Sequence, residues 1–486
     1  IINVIAFARA LQLTSKYSKE IFGQAGTEKL SAAEILYNDE LSDIAGSELL
    51  EKFRQTLITF PDKVPTAGGE KPFINLDNGA STPTFLPVWE AFSKTLLCDG
   101  KVQQEVISEV KTICSRFIGA PLADYEMVFV SNATEAINLV AKNISRQLSQ
   151  SEDFVVLNTY LEHNSNDLPW RMADGISVLR FPVDDDGFLD LKKLETVLCD
   201  YNEKGTFGKK RIRLLAVSGA SNVLGTFNDL AEISRIAHHY GARLLVDAAQ
   251  LVARRRVDMH NTGIDYLAFS AHKAYAPFGS GLLAARKELL NFTPAELENY
   301  KASGEENAAG IAALGKSLSF LQRIGIDLIE QEERTLTIQA LKGLSAIPGV
   351  KVFGMKGPES PAFDRKGGVI VLSVKGIMPN VLARRLAEQG AIGVRYGCHC
   401  SHLLVKRLLR VSPGLEKFQG IIARMFSRVN FPGVTRISIG IENSSSDIET
   451  FVNTLKTIVS NPRSTVKGVK SHIDRFVSGR AAEVFE

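Results

Sequence analysis

From Asn75 onward, short runs that are apolar throughout alternate with longer stretches whose apolar residues recur at helical spacing. The runs are MVFVS (127–131), FVVLN (154–158), SVLRF (177–181), RLLAVS (213–218), RLLVD (243–247), DYLAFS (265–270) and GLLAA (281–285). In the intervening TEAINLVAKNI, Ile137, Val140, Ala141 and Ile144 share one helical face. Strands without polar alternation, linked by amphipathic helices, predict a mostly parallel sheet covered on both faces. Such sheets bind ligands beyond the carboxyl ends of their strands. From about residue 335 the pattern restarts with GGVIVLSV (367–374) as a strand and NVLARRLAEQG (380–390) as a helix stopped by Gly390. AIGVRYG and TRISIG read as further strands and DIETFVNTLKTIV as a last helix. The expected organisation is a helical N-terminal extension (1–66), a large α/β domain (67–335), a smaller C-terminal α/β domain (336–465) and a polar helical tail (466–486). The Pro- and Gly-rich stretch from Pro61 to Pro72 reads as a linker.

Composition changes this picture little. Hydrophobic residues make up 45% and charged residues 23%, an ordinary balance for a globular chain. At 486 residues the chain can build cores for two or three domains. A net charge of +3 is too small, and the basic residues too scattered, to point to nucleic acid. The densest run, Arg254-Arg255-Arg256, fits a solvated loop or a subunit contact better than a phosphate-binding patch. No apolar stretch reaches the roughly 18 residues that span a bilayer, so no membrane is expected. The apolar start, IINVIAFARALQL, lacks a basic lead and a cleavage site and is not read as a signal peptide. Of the five cysteines only Cys398 and Cys400 are close in sequence. No disulfide framework is implied, and a reducing compartment, the cytoplasm, is the expectation.

The chemistry-bearing residues cluster after the apolar runs. Asp247 ends one run, and Lys273 follows the next with Ser270 and His272 beside it. A lysine in an apolar, glycine-bounded turn also reads as a snorkelling surface residue, and Asp247 as a helix cap. The functional reading needs a lysine of lowered pKa that forms an imine, and an acid that keeps a pyridinium nitrogen protonated. A buried unpaired aspartate is costly, so a cationic partner is expected for Asp247. In SNATEAINLVA, Ser131 or Asn132 can cap a helix whose first turn holds Ala133 and Thr134. Free N–H groups there suit a phosphate, although Ser/Asn-x-x-Glu is equally a common cap.

Taken in order, LDNGAST, NATEAINLVA, LEHNSNDLPW, SNVLGTFNDL, LLVDAAQ, FSAHKAYAPFGSG and VRYGCHCSH resemble the class V aminotransferase family of pyridoxal-phosphate (PLP) enzymes, over roughly residues 73 to 460. Within it the chain looks most like the cysteine desulfurase and selenocysteine lyase branch. The resemblance implies the aspartate aminotransferase-like α/β fold, pyridoxal 5'-phosphate as cofactor, an amino-acid substrate and a homodimer. It implies that Lys273 carries the cofactor as a Schiff base and that Asp247 pairs with the ring nitrogen. Gln250 and Asn222 would serve the phenolic oxygen, and His163 would stack on the ring. Ala133, Thr134, Ser270 and His272 would seat the phosphate. Arg436, with Arg395 close by, would clamp the substrate carboxylate. Taken alone, His163 reads equally as a turn residue and either arginine as a structural ion pair.

Cys398-His399-Cys400 with His402 suggests metal by residue type, but no second ligand cluster lies at zinc-like spacing, and no metal is expected. By the resemblance, Cys400 is the reactive thiol. Arg395 and the nearby imidazoles would favour its thiolate, which would take sulfur from L-cysteine for a sulfur-acceptor protein. The alternatives are an inert loop cysteine in an aminotransferase, epimerase or C–S lyase acting on another amino acid, or a non-catalytic sulfur-carrier or binding module. The chain also departs from the family. CDGKVQQEV stands where a longer stretch with a His-Arg-Gly turn is usual, so that the loop near residue 100 is short or residues are missing there. Glu305 falls where a threonine reaches the neighbouring subunit's phosphate, a role Ser303 could take over, and the segment from His402 to Arg436 is longer than in desulfurases.

Overall fold

The computed structural model describes residues 30–58, 63–148, 153–290, 307–410 and 433–461. The expected tail (466–486), the extension before Leu30 and Ser303 to Glu306 lie outside them. Seven strands form the main sheet: β1 (Tyr125–Val130), β2 (Phe154–Thr159), β3 (Ile176–Phe181), β4 (Arg211–Ser218), β5 (Arg243–Asp247), β6 (Tyr266–Ser270) and β7 (Gly281–Arg286), in the order β1-β7-β6-β5-β4-β2-β3. The strands β6, β5, β4, β2 and β3 pair in parallel, and β7 runs against both its neighbours. Successive residues enter opposite cores: Val155, Leu157, Val217, Val246 and Leu267 face one, and Val156, Ala216, Leu245, Tyr266 and Ala268 the other. Burial on both faces is why these strands show no polar alternation.

The main helices are α1 (Gly46–Gln55), α2 (Leu86–Leu96), α3 (Gly100–Phe117), α4 (Ala133–Gln147), α5 (Ala308–Ile324), α6 (Ile326–Ser345), α7 (Pro379–Gly390) and α8 (Ser445–Ser460). Helix α1 joins the large core through Leu49, Leu50 and Phe53, whose burial contributes about 1.5–3 kcal/mol each. Phe53 stacks on Phe85 and Phe320 with centroids 3.8 and 4.5 Å away. The short stretch before residue 100 is a closed corner. Asp99 Oδ1 caps the Val102 N–H at 3.0 Å, and Gln103 Nε2 donates to the Cys98 carbonyl at 3.1 Å.

A second sheet, β8 (Val350–Phe353), β9 (Val369–Val374), β10 (Arg395–Gly397) and β11 (Val434–Ser438), is ordered β8-β9-β11-β10 with antiparallel pairing. Its core holds Leu382 and Leu386 of α7 and Phe451 and Leu455 of α8, together with Ile74 and Leu76 from far upstream. Helix α6 contributes Ile326 and Ile329 to the first core and Leu336 and Ala340 to this one.

Two local expectations are corrected and a third is refined. The stretch read as a linker contains a hairpin, Val64–Thr66 paired with Gly69–Lys71, held to α7 by Ala67 N–H on the Glu388 carbonyl at 2.7 Å. Helix α7 ends at Gly390 as expected, but the left-handed residue is Ala391 (φ +57°) and not the glycine. Gly390 is needed for space, because a Cβ there would lie 2.7 Å from Ile392 Cδ1. The arginine run is not a solvated loop either: Arg254 and Arg255 are part-buried and pair with buried Glu333 of α6, with Arg255 Nη1 2.9 Å from Oε2, and only Arg256 is exposed.

Candidate active site

Lys273 lies in the single 3-10 turn, Ala271–Lys273, that follows β6. The loop from Asp77 to Thr82 is stitched to this turn. Thr82 N–H donates to the His272 carbonyl at 2.8 Å, and Tyr275 N–H donates to Thr82 Oγ1 at 2.8 Å. These bonds hold Tyr275 in the left-handed region (φ +62°), which an aromatic residue seldom adopts. No bond to another described residue engages the Lys273 amine. Burial pushes its pKa down against the opposing pull of Asp247, with Arg436, Cys400 and Arg254 also close enough to act on its charge. A lysine so placed is available as a nucleophile and a base.

Asp247, at the end of β5, is buried, and no cationic side chain among the described residues bonds to it. Its Oδ1 accepts from Ala249 N–H at 3.0 Å and its Oδ2 from Ser165 Oγ at 3.2 Å. His163 Nδ1 accepts from Ser165 N–H at 3.1 Å, so Ser165 couples the imidazole to the carboxylate. Burial, and then the Lys273 charge, lower the pKa of His163, which keeps the ring neutral. Beside it Glu162 is buried and accepts from Thr159 Oγ1 (2.6 Å), Asn166 Nδ2 (2.6 Å) and Ser218 Oγ (2.8 Å). Burial outweighs these donors and raises its pKa to about 7.

At the head of α4, Asn132 rather than Ser131 is the cap, its Oδ1 accepting from Glu135 N–H at 3.0 Å. Ala133 N–H donates to Ser270 Oγ at 2.8 Å, tying this helix end to the strand that precedes Lys273. Thr134 is exposed on the first turn. Burial, then the Lys273 charge, lowers the pKa of His272 to about 4.

Gln250 and Asn222 are both engaged with neighbouring loops. Gln250 Nε2 donates to the Gly79 carbonyl at 2.7 Å. Asn222 Nδ2 donates to the His399 carbonyl at 2.8 Å, and its Oδ1 accepts from Ser401 Oγ at 2.9 Å. Arg436 on β11 is buried. It donates to the Asn222 carbonyl (Nη1, 3.0 Å) and to Asp77 Oδ1 (Nη2, 2.8 Å), while its Nε has no partner among the described residues. The half-exposed Arg395 on β10 donates from Nε to Asp77 Oδ2 at 3.0 Å. The two arginines thus converge on a carboxylate of the chain itself. Asp77 and Ser165 escaped the sequence reading. Each lies inside a motif already singled out, LDNGAST and LEHNSND, and a short polar residue in such a motif was the available signal.

Residues 398–401 form a tight turn closed by Ser401 N–H on the Cys398 carbonyl at 2.9 Å. His399 and Cys400 both take left-handed conformations, φ +53° and +55°, unusual for two consecutive non-glycine residues. The turn holds because Asn222 and Asn164 bind its carbonyls. The Cys400 thiol is exposed and Cys398 half-buried. One expectation is corrected here. Burial pushes the pKa of His399 down to about 3, so this imidazole is neutral and lends Cys400 no positive charge. Arg395 is ion-paired with Asp77, which it shares with Arg436. Among the described residues no cluster suits a metal ion, and no helix is long and apolar enough to cross a membrane.

A family model described as aminotransferase class-V matches residues 74–451. The chain is 34% identical to a cysteine desulfurase of Dickeya dadantii over 347 residues, 66% of this chain and 79% of that one. It is 31% identical to a cysteine desulfurase of Cronobacter sakazakii, over 74% of this chain and 83% of the other. The apo cysteine desulfurase structure from Thermococcus onnurineus NA1 superposes with a TM-score of 0.66 at 26% identity, covering 80% of this chain and 95% of that one. Its parallel sheet, its site at the strand ends and its matching relatives agree: the chain belongs to the class-V aminotransferase family.

Proposed function

We propose that this enzyme removes sulfur from L-cysteine, leaving L-alanine, with Cys400 as the thiol that receives the sulfur. Enzymes of this family depend on pyridoxal 5'-phosphate, and the residues present fit that group. Asp247 is a buried carboxylate that no described cationic side chain bonds to, and the charge of nearby Lys273 is itself suppressed by burial, a costly state that a protonated ring nitrogen would relieve. Lys273 would hold the aldehyde carbon, His163 would lie on the ring, and the head of α4 with Ser270 and His272 would seat the phosphate. When bound, the cofactor supplies an electron sink next to the α-carbon of the amino acid.

The chain's own groups do the rest. Arg436 and Arg395 orient the substrate carboxylate. Lys273 Nζ, its pKa lowered by burial, takes the α-proton and returns a proton later. Cys400 Sγ forms a bond to the substrate sulfur as the substrate's Cβ–S bond breaks. The electron pair stays with the carbon skeleton, which is protonated and leaves as alanine. The resulting persulfide sits on an exposed turn, where a sulfur-acceptor protein can reach it. A homodimer, a cytoplasmic setting and the division into a large cofactor domain and a small C-terminal domain belong to the same reading.

The observation that carries the proposal is the strained Cys400 turn fixed against the His163 loop and within electrostatic reach of Lys273. In Cys400→Ala the cofactor absorbance should remain while persulfide formation from cysteine disappears. Unchanged sulfide and alanine output from that variant would remove Cys400 from the mechanism and favour a C–S lyase.

A further inference from the structure

We infer that Asp77 determines substrate specificity, by cancelling one of the two arginine charges at the carboxylate seat and so restricting the site to amino acids with a single carboxylate. This rests on the reading of Arg436 and Arg395 as the substrate clamp.

Asp77 is 6% exposed and places one oxygen on each guanidinium, 2.8 Å from Arg436 Nη2 and 3.0 Å from Arg395 Nε. It therefore occupies the bridging position between the two side chains. Its backbone is fixed from both sides. Asp77 N–H donates to Asn75 Oδ1 at 3.1 Å, and a bridge joins Asp77 to Ser438 of β11, the strand of Arg436. The chain then runs across the guanidinium: a Cβ on Gly79 would lie 3.1 Å from Arg436 Cζ, and Gly79 N–H donates to Ser438 Oγ at 2.7 Å. With the Asn222 carbonyl also on Arg436, the donors left for a ligand are its unpartnered Nε–H, the second N–H of Nη1 and of Nη2, and the outer N–H groups of half-exposed Arg395. The balance of two arginines and one aspartate is a single positive charge. A first carboxylate neutralises it; a second would face Asp77 with neither arginine of the seat left to answer it, a repulsion strengthened by the partial exclusion of water.

The test titrates the holoenzyme by calorimetry with two probes, propionate and succinate. Wild type should bind succinate no more tightly than propionate. Asp77→Asn should strengthen succinate relative to propionate by about tenfold or more, the order expected for removing a like charge from a partly buried seat. Asp77→Glu, which keeps the charge, should hold the wild-type ratio. Tighter succinate binding by wild type overturns the inference without need of any variant, as does an unchanged ratio in Asp77→Asn. Arg436→Ala separates the two levels: if both probes bind it as they bind wild type, the clamp reading itself fails.

Discussion

The carbonyl of Cys400 accepts a hydrogen bond from the backbone N–H of Asn164 at 2.8 Å. Asn164 follows His163 on a loop of the parallel sheet, whereas Cys400 follows β10 of the antiparallel sheet. A single backbone bond therefore sets the exposed thiol in register with the residue that would cover the cofactor. Because the turn is held in left-handed conformations at His399 and Cys400, it needs such external ties to persist.

Removing that donor alone should loosen the thiol. Asn164→Pro deletes the N–H, and His163 already has the extended backbone (φ −68°, ψ 153°) that a residue before proline requires. Cofactor content should be retained while kcat for sulfur transfer falls by about tenfold, the order of one lost positioning bond. Steady-state kinetics with cysteine, beside the cofactor absorbance, checks this; an unchanged kcat would show that the bond does not position Cys400.

Asp247→Asn keeps the shape and its contact with Ser165 but removes the negative charge at the end of β5. Cofactor should still bind, with turnover lower by about a hundredfold or more, since the ring nitrogen would no longer be held protonated. Single-turnover measurements of α-proton exchange in the amino acid report on this step directly.

Glu162 gives a pH signature. Its carboxyl is raised by burial from the usual 4.5 to about 7 in the folded chain, so the native state holds the proton more tightly than the unfolded state. Its stabilising contribution is fully present below pH 4.5 and is lost as pH rises through 7. Glu162→Gln, neutral throughout, should flatten the stability profile over that window. Across it the wild type should lose on the order of 3 kcal/mol that the variant does not lose. Urea unfolding at a series of pH values measures both; a parallel profile for the variant would contradict it.

Glu333 faces the reverse situation. Burial alone would raise its carboxyl pKa, but Arg254 and Arg255 prevail and hold it down. Glu333→Gln takes the carboxylate from two part-buried guanidiniums, of which only Arg255 keeps another, Glu330 at 3.2 Å, and should cost about 3 kcal/mol of stability, read as a lowered denaturation midpoint. Exposed Arg256, paired with equally exposed Asp327, is the control: Arg256→Ala should change stability by less than about 1 kcal/mol.

The sequence by itself determined the parallel sheet and the places where its chemistry had to lie. The seven apolar runs correspond to β1–β7 within two residues at either end, because a strand buried on both faces is recorded in consecutive positions. Asp247 and Lys273 could be found for the same reason, each standing at or just after the end of such a run. Only the tertiary structure decided what those residues touch. Asp77 meets Arg436 across 359 positions, and Ser165 meets Asp247 across 82. Glu333 meets Arg255 across 78, turning an apparent basic loop into a part-buried ion pair. Periodicity along a chain reports which face of an element is buried. A hydrogen bond or a charge pair depends on where two distant elements come to rest, and no local pattern encodes that.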